Sequence, residues 1–232
     1  MTSPAQPENL RTYLLAWGLG TALIAAASIE CLDIPLAVFF YDYRETWWSK
    51  TFAHITDFAN GGLWYTVGAL GLIAAFVRHK YRGQNPAAFT RETRAWLFMI
   101  VTMASSGTFI NAVKLVIGRE RPRLLFRDGT FGFHPFTFDL DLGDCSFPSG
   151  HTQSIWTAML ALSFIAPPLR PMLFAVAVLI SASRVIIGAH YVSDVLGGVW
   201  LAVAAVIYWR HRFEANGEKL DLTLARARES AP

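Results

Sequence analysis

The stretch SRVIIGAHYVSDVLGG, residues 183–198, carries Arg184, His190 and Asp194 inside an otherwise apolar run. An Arg or Asp at the centre of a bilayer costs roughly 2.5–3.5 kcal/mol on insertion scales, so a compensating role is expected. Two more groups interrupt the apolar pattern: KLVIGRERP, with Lys114 and Arg121, and FPSGH, with Pro148, Ser149, Gly150 and His151. Lys114, Arg121 and Arg184 are cations with few carboxylates among them, a composition suited to a tetrahedral phosphate. Arg supplies directional, often bidentate hydrogen bonds, and Lys a mobile point charge. Pro148 and Gly150 shape a turn at the start of an apolar helix, where backbone N–H groups lack intrahelical partners and the helix dipole favours an anion. Ser149 adds a hydroxyl. Together these groups resemble an oxyanion hole built for a phosphoryl group.

The two histidines divide the remaining chemistry. His190 and Asp194 are four residues apart and would share one face of a helix. A carboxylate so placed can fix the imidazole tautomer and leave the other ring nitrogen free to attack. His190 is therefore read as the nucleophile on phosphorus, passing through a phosphohistidine. His151, beside the anion site, would protonate the leaving oxygen and later deprotonate the attacking water. The reading requires neither metal nor cofactor, because the carboxylates are not clustered as metal-dependent phosphatases need. Asp128, Asp139, Asp141 and Asp144 are the only metal-ligand candidates, and they read as a solvated acidic loop.

The elements that must position these groups follow from composition. The chain has 232 residues, 53% hydrophobic and only 16% charged, against about 25% charged in an average soluble domain. Its apolar residues gather into blocks about as long as a membrane span. Six spans are expected, near Thr12–Ile29, Gly62–Val77, Ala95–Ile117, Thr152–Ala166, Met172–Ile187 and Val195–Trp209. Alternation of period two, the mark of a transmembrane barrel, does not occur in blocks such as MLFAVAVLISAS. The expected fold is all-α: a polytopic membrane helix bundle forming one domain over 1–232, its core about 95–209. Net charge is +3, and the basic residues sit in loops rather than on one stripe, so no nucleic-acid partner is implied.

Twelve of the twenty Lys and Arg fall on the side of the N-terminus and eight on the other, three of those eight in the motifs above. The positive-inside rule then puts both termini in the cytoplasm and all three motifs on the outer face. AAAS at 25–28 has the small residues of a cleavage site, but MTSPAQPENLR lacks a strongly basic n-region, and the first span is expected to be retained. Cys31 and Cys145 lack metal-ligand spacing and are expected as two thiols, with pairing possible only in an oxidising compartment. FFYDYRETWWSKTF (39–52) combines aromatic and charged residues as an interfacial helix would. LLFRDGTFGFHPFTFDLDLGDCSF (124–147) carries six phenylalanines. Both suit an aromatic belt at the lipid boundary or, on a sharper reading, the lateral entrance for a lipid substrate.

At these residues the chain resembles the type 2 phosphatidic acid phosphatase (PAP2) superfamily, whose signature is K-x6-R-P, P-S-G-H and S-R-x5-H-x3-D. Here it reads Lys114…Arg121-Pro122, then Pro148-Ser149-Gly150-His151, then Ser183-Arg184…His190…Asp194, in order and with every spacing intact. The resemblance covers roughly residues 95–200 and the N-terminal third only loosely. It implies a six-helix membrane core, metal-independent phosphohistidine chemistry and a lipid phosphate substrate met in the bilayer, with no obligate protein partner. Lipid A 1-phosphate, polyprenyl diphosphate and phosphatidylglycerophosphate all fit, and the short outer loops suggest a bacterial enzyme whose site would face the periplasm from the inner membrane. A lipid phosphotransferase would use the same site. An anion transporter would instead place its ionisable residues near mid-membrane.

Overall fold

Long apolar blocks without alternation have nowhere to satisfy their backbone in lipid except within a helix. The computed structural model, which describes residues 7–83, 86–136, 143–215 and 220–222, resolves them in that way. Helix α1 spans Pro7–Cys31, α2 Asp33–Asp42 and α3 Trp47–Ile55, followed by a 3-10 turn at Thr56–Ala59. Helices α4 (Gly61–Arg82) and α5 (Pro86–Ile117) come next, then a short α6 (Pro122–Asp128). The C-terminal part holds α7 (Gly150–Ile165), α8 (Arg170–Ile186) and α9 (Val192–Phe213). Among the described residues there is no strand, only isolated bridges of Arg119 with Phe133 and Glu120 with Cys145.

Among the described residues five helices are long and apolar enough to cross a membrane, at Thr12–Cys31, Gly61–Tyr81, Phe89–Ile117, Pro167–Ile186 and Val192–Phe213. The remaining expected span, on α7, has 16 residues, short of the roughly 20 that a bilayer core requires. Helix α7 is the inner element of the bundle, packed against α5, α8 and α9, while α4 lies along α5 and α1 along α9. Phe98, Met99, Ile155, Ala158, Met159, Ala177 and Val206 form the core around it. Enclosure lets α7 keep Thr152, Gln153, Thr157 and Ser163, which an outer helix could not present to lipid. The side chain of Gln153 donates to Ser106 at 2.6 Å and Trp156 to Ser181 at 2.9 Å, the interhelical hydrogen bonding typical of membrane bundles. Leu15, Leu19, Leu23, Ile73, Phe76 and Val178 face outward, as a lipid-solvated surface demands.

Two segments differ from expectation. The charged connection after α4 is helical from Pro86 onward, because Arg78 pairs with Glu92 at 2.5 Å and ties the two helices together. The 39–52 segment is not one interfacial helix. Helix α2 ends at Asp42 and α3 begins at Trp47, with a turn closed by Arg44 and Thr46 donating to the carbonyls of Tyr41 and Tyr43. Tyr41 stacks on Phe126 at 3.8 Å, so the two aromatic segments meet. No disulfide links Cys31, which is exposed, to Cys145, which is buried.

Candidate active site

Four helix ends converge, and backbone contacts fix how. Helix α5 finishes with Lys114 in its last turn. The connection to α7 folds back so that Ser146 N–H donates to the Arg119 carbonyl at 2.6 Å and Ser149 N–H to the Asp194 carbonyl at 3.0 Å. The second contact sets the start of α9 directly on the FPSGH turn, an approach only glycine permits. A Cβ on Gly198 would lie 2.6 Å from the Ser149 carbonyl oxygen, and one on Gly197 2.7 Å from the Phe147 ring. The GG of the 183–198 stretch is thus an element of the site's construction.

Lys114, Arg121, Arg184, Ser149, Gly150, His151, His190 and Asp194 are all brought to this end of the bundle. Lys114 donates to the Cys145 carbonyl at 2.5 Å, and Arg184 to the Thr56 hydroxyl at 2.7 Å. Among the described residues none of the three cations pairs with a carboxylate, and the Nε atoms of Arg121 and Arg184 are buried without a partner. A cluster of like charges so arranged calls for an anion. Ser149 is fully buried as the N-cap of α7, its hydroxyl accepting from Thr152 N–H at 3.4 Å. It keeps its proton to donate, and the N–H groups of Gly150 and His151 lie in the first turn, where helix bonding does not reach them. A Cβ on Gly150 would meet nothing within 4 Å, so the first turn of α7 is uncrowded at that residue.

His190 and Asp194 do come together, but not as helix neighbours. Gly188, at φ 65°, ends α8 in a left-handed turn, and His190 lies in the bend before α9. Asp194 sits in the first turn of α9 and reaches back, its Oδ2 accepting from Tyr191 N–H at 2.8 Å. His190 Nδ1 is 3.6 Å from that same oxygen and 3.3 Å from the Ser146 hydroxyl, which donates to Oδ2 at 2.5 Å. Burial pushes the His190 ring down to about 3, with Arg121 and Arg184 adding to the shift and Asp194 opposing it. The ring is neutral at physiological pH, with Nδ1 toward the carboxylate and Nε2 free to act as a nucleophile. His151, at the mouth of α7, is pushed down to about 4 by burial and then by Arg184, Arg121 and Lys114. An anion in the cradle would offset those charges and restore its ability to carry a proton.

Sequence reasoning passed over a buried network behind this pair. Arg119, fully buried, donates to Asp194 Oδ1 and to Asp33 Oδ2, each at 2.7 Å. Ser193 N–H donates to Asp33 Oδ1 at 3.0 Å. Tyr191, Phe133 and Phe131 present ring faces to the guanidinium, their centroids 4.4, 5.1 and 5.5 Å away. The readable signal was Asp33, a lone carboxylate in the apolar run CLDIPLAVFF. Of the loop aspartates, Asp128 pairs with Arg127 and Asp144 with Arg123, while Asp139 and Asp141 lie outside the described residues.

The family model of the PAP2 superfamily matches residues 95–218. A lipid A 1-phosphatase of Rhizobium etli is 34% identical over 134 residues, covering 56% of this chain and 56% of that protein. One from Rhizobium johnstonii is 33% identical over 130 residues, covering 54% and 52%. The chain thus matches about half the length of these relatives. A crystal structure of a PAP2 type phosphatidylglycerolphosphate phosphatase from Bacillus subtilis shares the fold, with a TM-score of 0.63 over 87% of this chain and 96% of that one at 20% identity. With the family model matching more than half its length, residues 95–218 of 232, the chain belongs to the PAP2 superfamily.

Proposed function

We propose that this chain is a membrane-embedded lipid phosphate phosphatase, a single domain of six spans in which α7 crosses as the short inner helix. Both termini lie in the cytoplasm and the site opens to the periplasm of a bacterial inner membrane, in keeping with the charge bias of the connections. Lipid A 1-phosphate is the best-supported substrate, since that is what the names of the matched relatives specify. The observation that carries the reading is the set of three cations, without carboxylate partners among the described residues, at the N-terminus of α7.

Lys114, Arg121, Arg184, the Ser149 hydroxyl and the N–H groups of Gly150 and His151 hold the phosphoryl oxygens. Nε2 of neutral His190 attacks phosphorus, the N–P bond forms as the ester P–O bond breaks, and His151 gives its proton to the leaving oxygen. Asp194 holds the Nδ1–H and stabilises the charge that develops on the ring. Water then attacks phosphorus, His151 takes its proton, and the N–P bond breaks to release inorganic phosphate. Purified protein in detergent should release phosphate from lipid A and pass through an acid-labile phosphoprotein that His190→Ala cannot form. A phosphoprotein that persists in His190→Ala would remove the nucleophile assignment, and transfer to a lipid acceptor without free phosphate would make the chain a phosphotransferase.

A further inference from the structure

Beside His151, α4, α5 and α7 border a cleft of about 540 Å³ that Gly150 also lines. Its polar lining includes Asn60, Tyr65, Asn111, His151, Gln153 and Ser154, with no Lys, Arg, Asp or Glu among its described lining residues. Asn111 lies exposed within the span at Phe89–Ile117. Neither its amide nor the Tyr65 hydroxyl has a hydrogen-bond partner among the described residues. A Cβ on Gly107, one turn from Asn111 on the same face of α5, would lie 3.7 Å from that hydroxyl, so the two unpaired groups look into the same space. Amide and phenol groups that face one cleft without protein partners are available to hydrogen-bond a polar group seated there. Ala104 and Thr108 also line a second, largely apolar groove of about 590 Å³ along α5, running past Val101 and Phe109. Neutral hydrogen bonding beside the general acid therefore passes directly into a lane for a hydrocarbon chain.

We infer that this cleft seats the alcohol half of the substrate, and that Asn60, Tyr65 and Asn111 select a phosphate monoester on a neutral, hydroxyl- or amide-bearing lipid headgroup over a lipid diphosphate. The inference rests on the cradle being a phosphoryl site. In-line displacement puts the leaving oxygen opposite His190 Nε2, hence toward His151 and the cleft. A monoester sends a neutral alcohol there. A diphosphate sends a phosphate anion, and the described lining of the cleft holds no Lys or Arg to receive it.

Purified full-length protein is assayed on three lipids: a lipid-linked sugar 1-phosphate, phosphatidic acid and a polyprenyl diphosphate. The sugar phosphate should exceed the diphosphate in kcat/KM by at least about tenfold, the worth of one well-placed hydrogen bond or more. Asn111→Leu should narrow the sugar-phosphate to phosphatidic-acid ratio by about tenfold and Tyr65→Phe by a smaller factor. Asn111→Lys should raise the diphosphate relative to both monoesters. Release of phosphate with the diphosphate preferred, or ratios unchanged in all three variants, overturns the inference and leaves the phosphatase reading standing. Release from none of the three lipids overturns both.

Discussion

Replacing Arg119 with Met tests whether the network behind the histidine sets the reaction rate. Its guanidinium lies between two carboxylates, 2.7 Å from Asp33 on one side and 2.7 Å from Asp194 on the other, with all three groups buried. With charge centres about 4 Å apart and an effective dielectric of about 20, each attraction is worth about 4 kcal/mol. Repulsion between the carboxylates, separated by the width of a guanidinium, returns about 2 kcal/mol. Desolvation offsets part of the remainder, so a loss of about 3–5 kcal/mol is expected, the usual cost of breaking a buried ion pair from one side. In a chain of this size that lowers the melting midpoint by about 6–20 °C.

The kinetic expectation is sharper. Arg119 holds Oδ1 of Asp194, which leaves Oδ2 to Tyr191, Ser146 and His190. Without the cation the carboxylate is free to turn or to take a proton, and the imidazole loses its orientation. Turnover of Arg119→Met should fall by about 10²–10⁴, the range for a misdirected triad histidine, with KM little changed because Arg119 lies behind the pair, away from the phosphoryl cradle. Asp33→Asn should cost far less in the Arg119→Met background than in wild type, since there it relieves repulsion instead of breaking a pair. Phosphate release and thermal unfolding in detergent read all four proteins. Arg119→Met with kcat within about threefold of wild type, or with kcat unchanged and KM raised, would refute the argument.

Asp194→Asn should lower kcat by about 10²–10⁴ while the protein still folds, and a loss under about threefold would mean that the His190–Asp194 pair is uncoupled. Vanadate, a mimic of pentavalent phosphorus, should inhibit competitively, and Arg184→Ala should weaken that inhibition by about 10–10²-fold through lost charge-assisted hydrogen bonds; inhibition that ignores the substitution would misplace the cradle. The histidines set an acid limit on stability. Both rings sit below the ordinary 6.5, His151 at about 4 and His190 at about 3, so the unfolded chain binds more protons in that window. Stability is complete above about pH 6.5 and falls on acidification by up to about 1.4 kcal/mol per pH unit for each ring. Thermal unfolding of ligand-free protein should show a shallower acid decline in His151→Ala than in wild type, and identical slopes would contradict the shift. EDTA should leave turnover intact, and strict dependence on added Mg²⁺ would defeat a metal-free reaction.

The parts of this architecture that sequence made legible are those governed by local periodicity or by cost. Uninterrupted apolar blocks gave the long helices to within about five residues, because lipid leaves the backbone few alternatives, except at the start of α5, which lies at Pro86 instead of Ala95. Lys114, Arg121, Arg184 and His151 stood out because a charge in apolar sequence demands a reason. Asp33 and Arg119 fall under the same cost argument, but a lone charge near a helix end also reads as an interfacial anchor. What separates the two cases is a partner 86 residues away, a contact that no periodicity encodes. His190 and Asp194 illustrate a different ambiguity. A spacing of four residues is shared by a helix face and by a residue just before a helix whose first-turn carboxylate folds back to cap it. Gly188, two residues upstream, was the mark of the second arrangement, since a left-handed turn ends one helix before the next begins. The difference matters chemically. A histidine on a helix face would be aimed by the helix as a whole, whereas His190 is aimed by Asp194, and Asp194 in turn by Arg119. In the proposed reaction, precision at the attacking nitrogen therefore depends on an ion network anchored in α2, outside the segment that carries the three motifs.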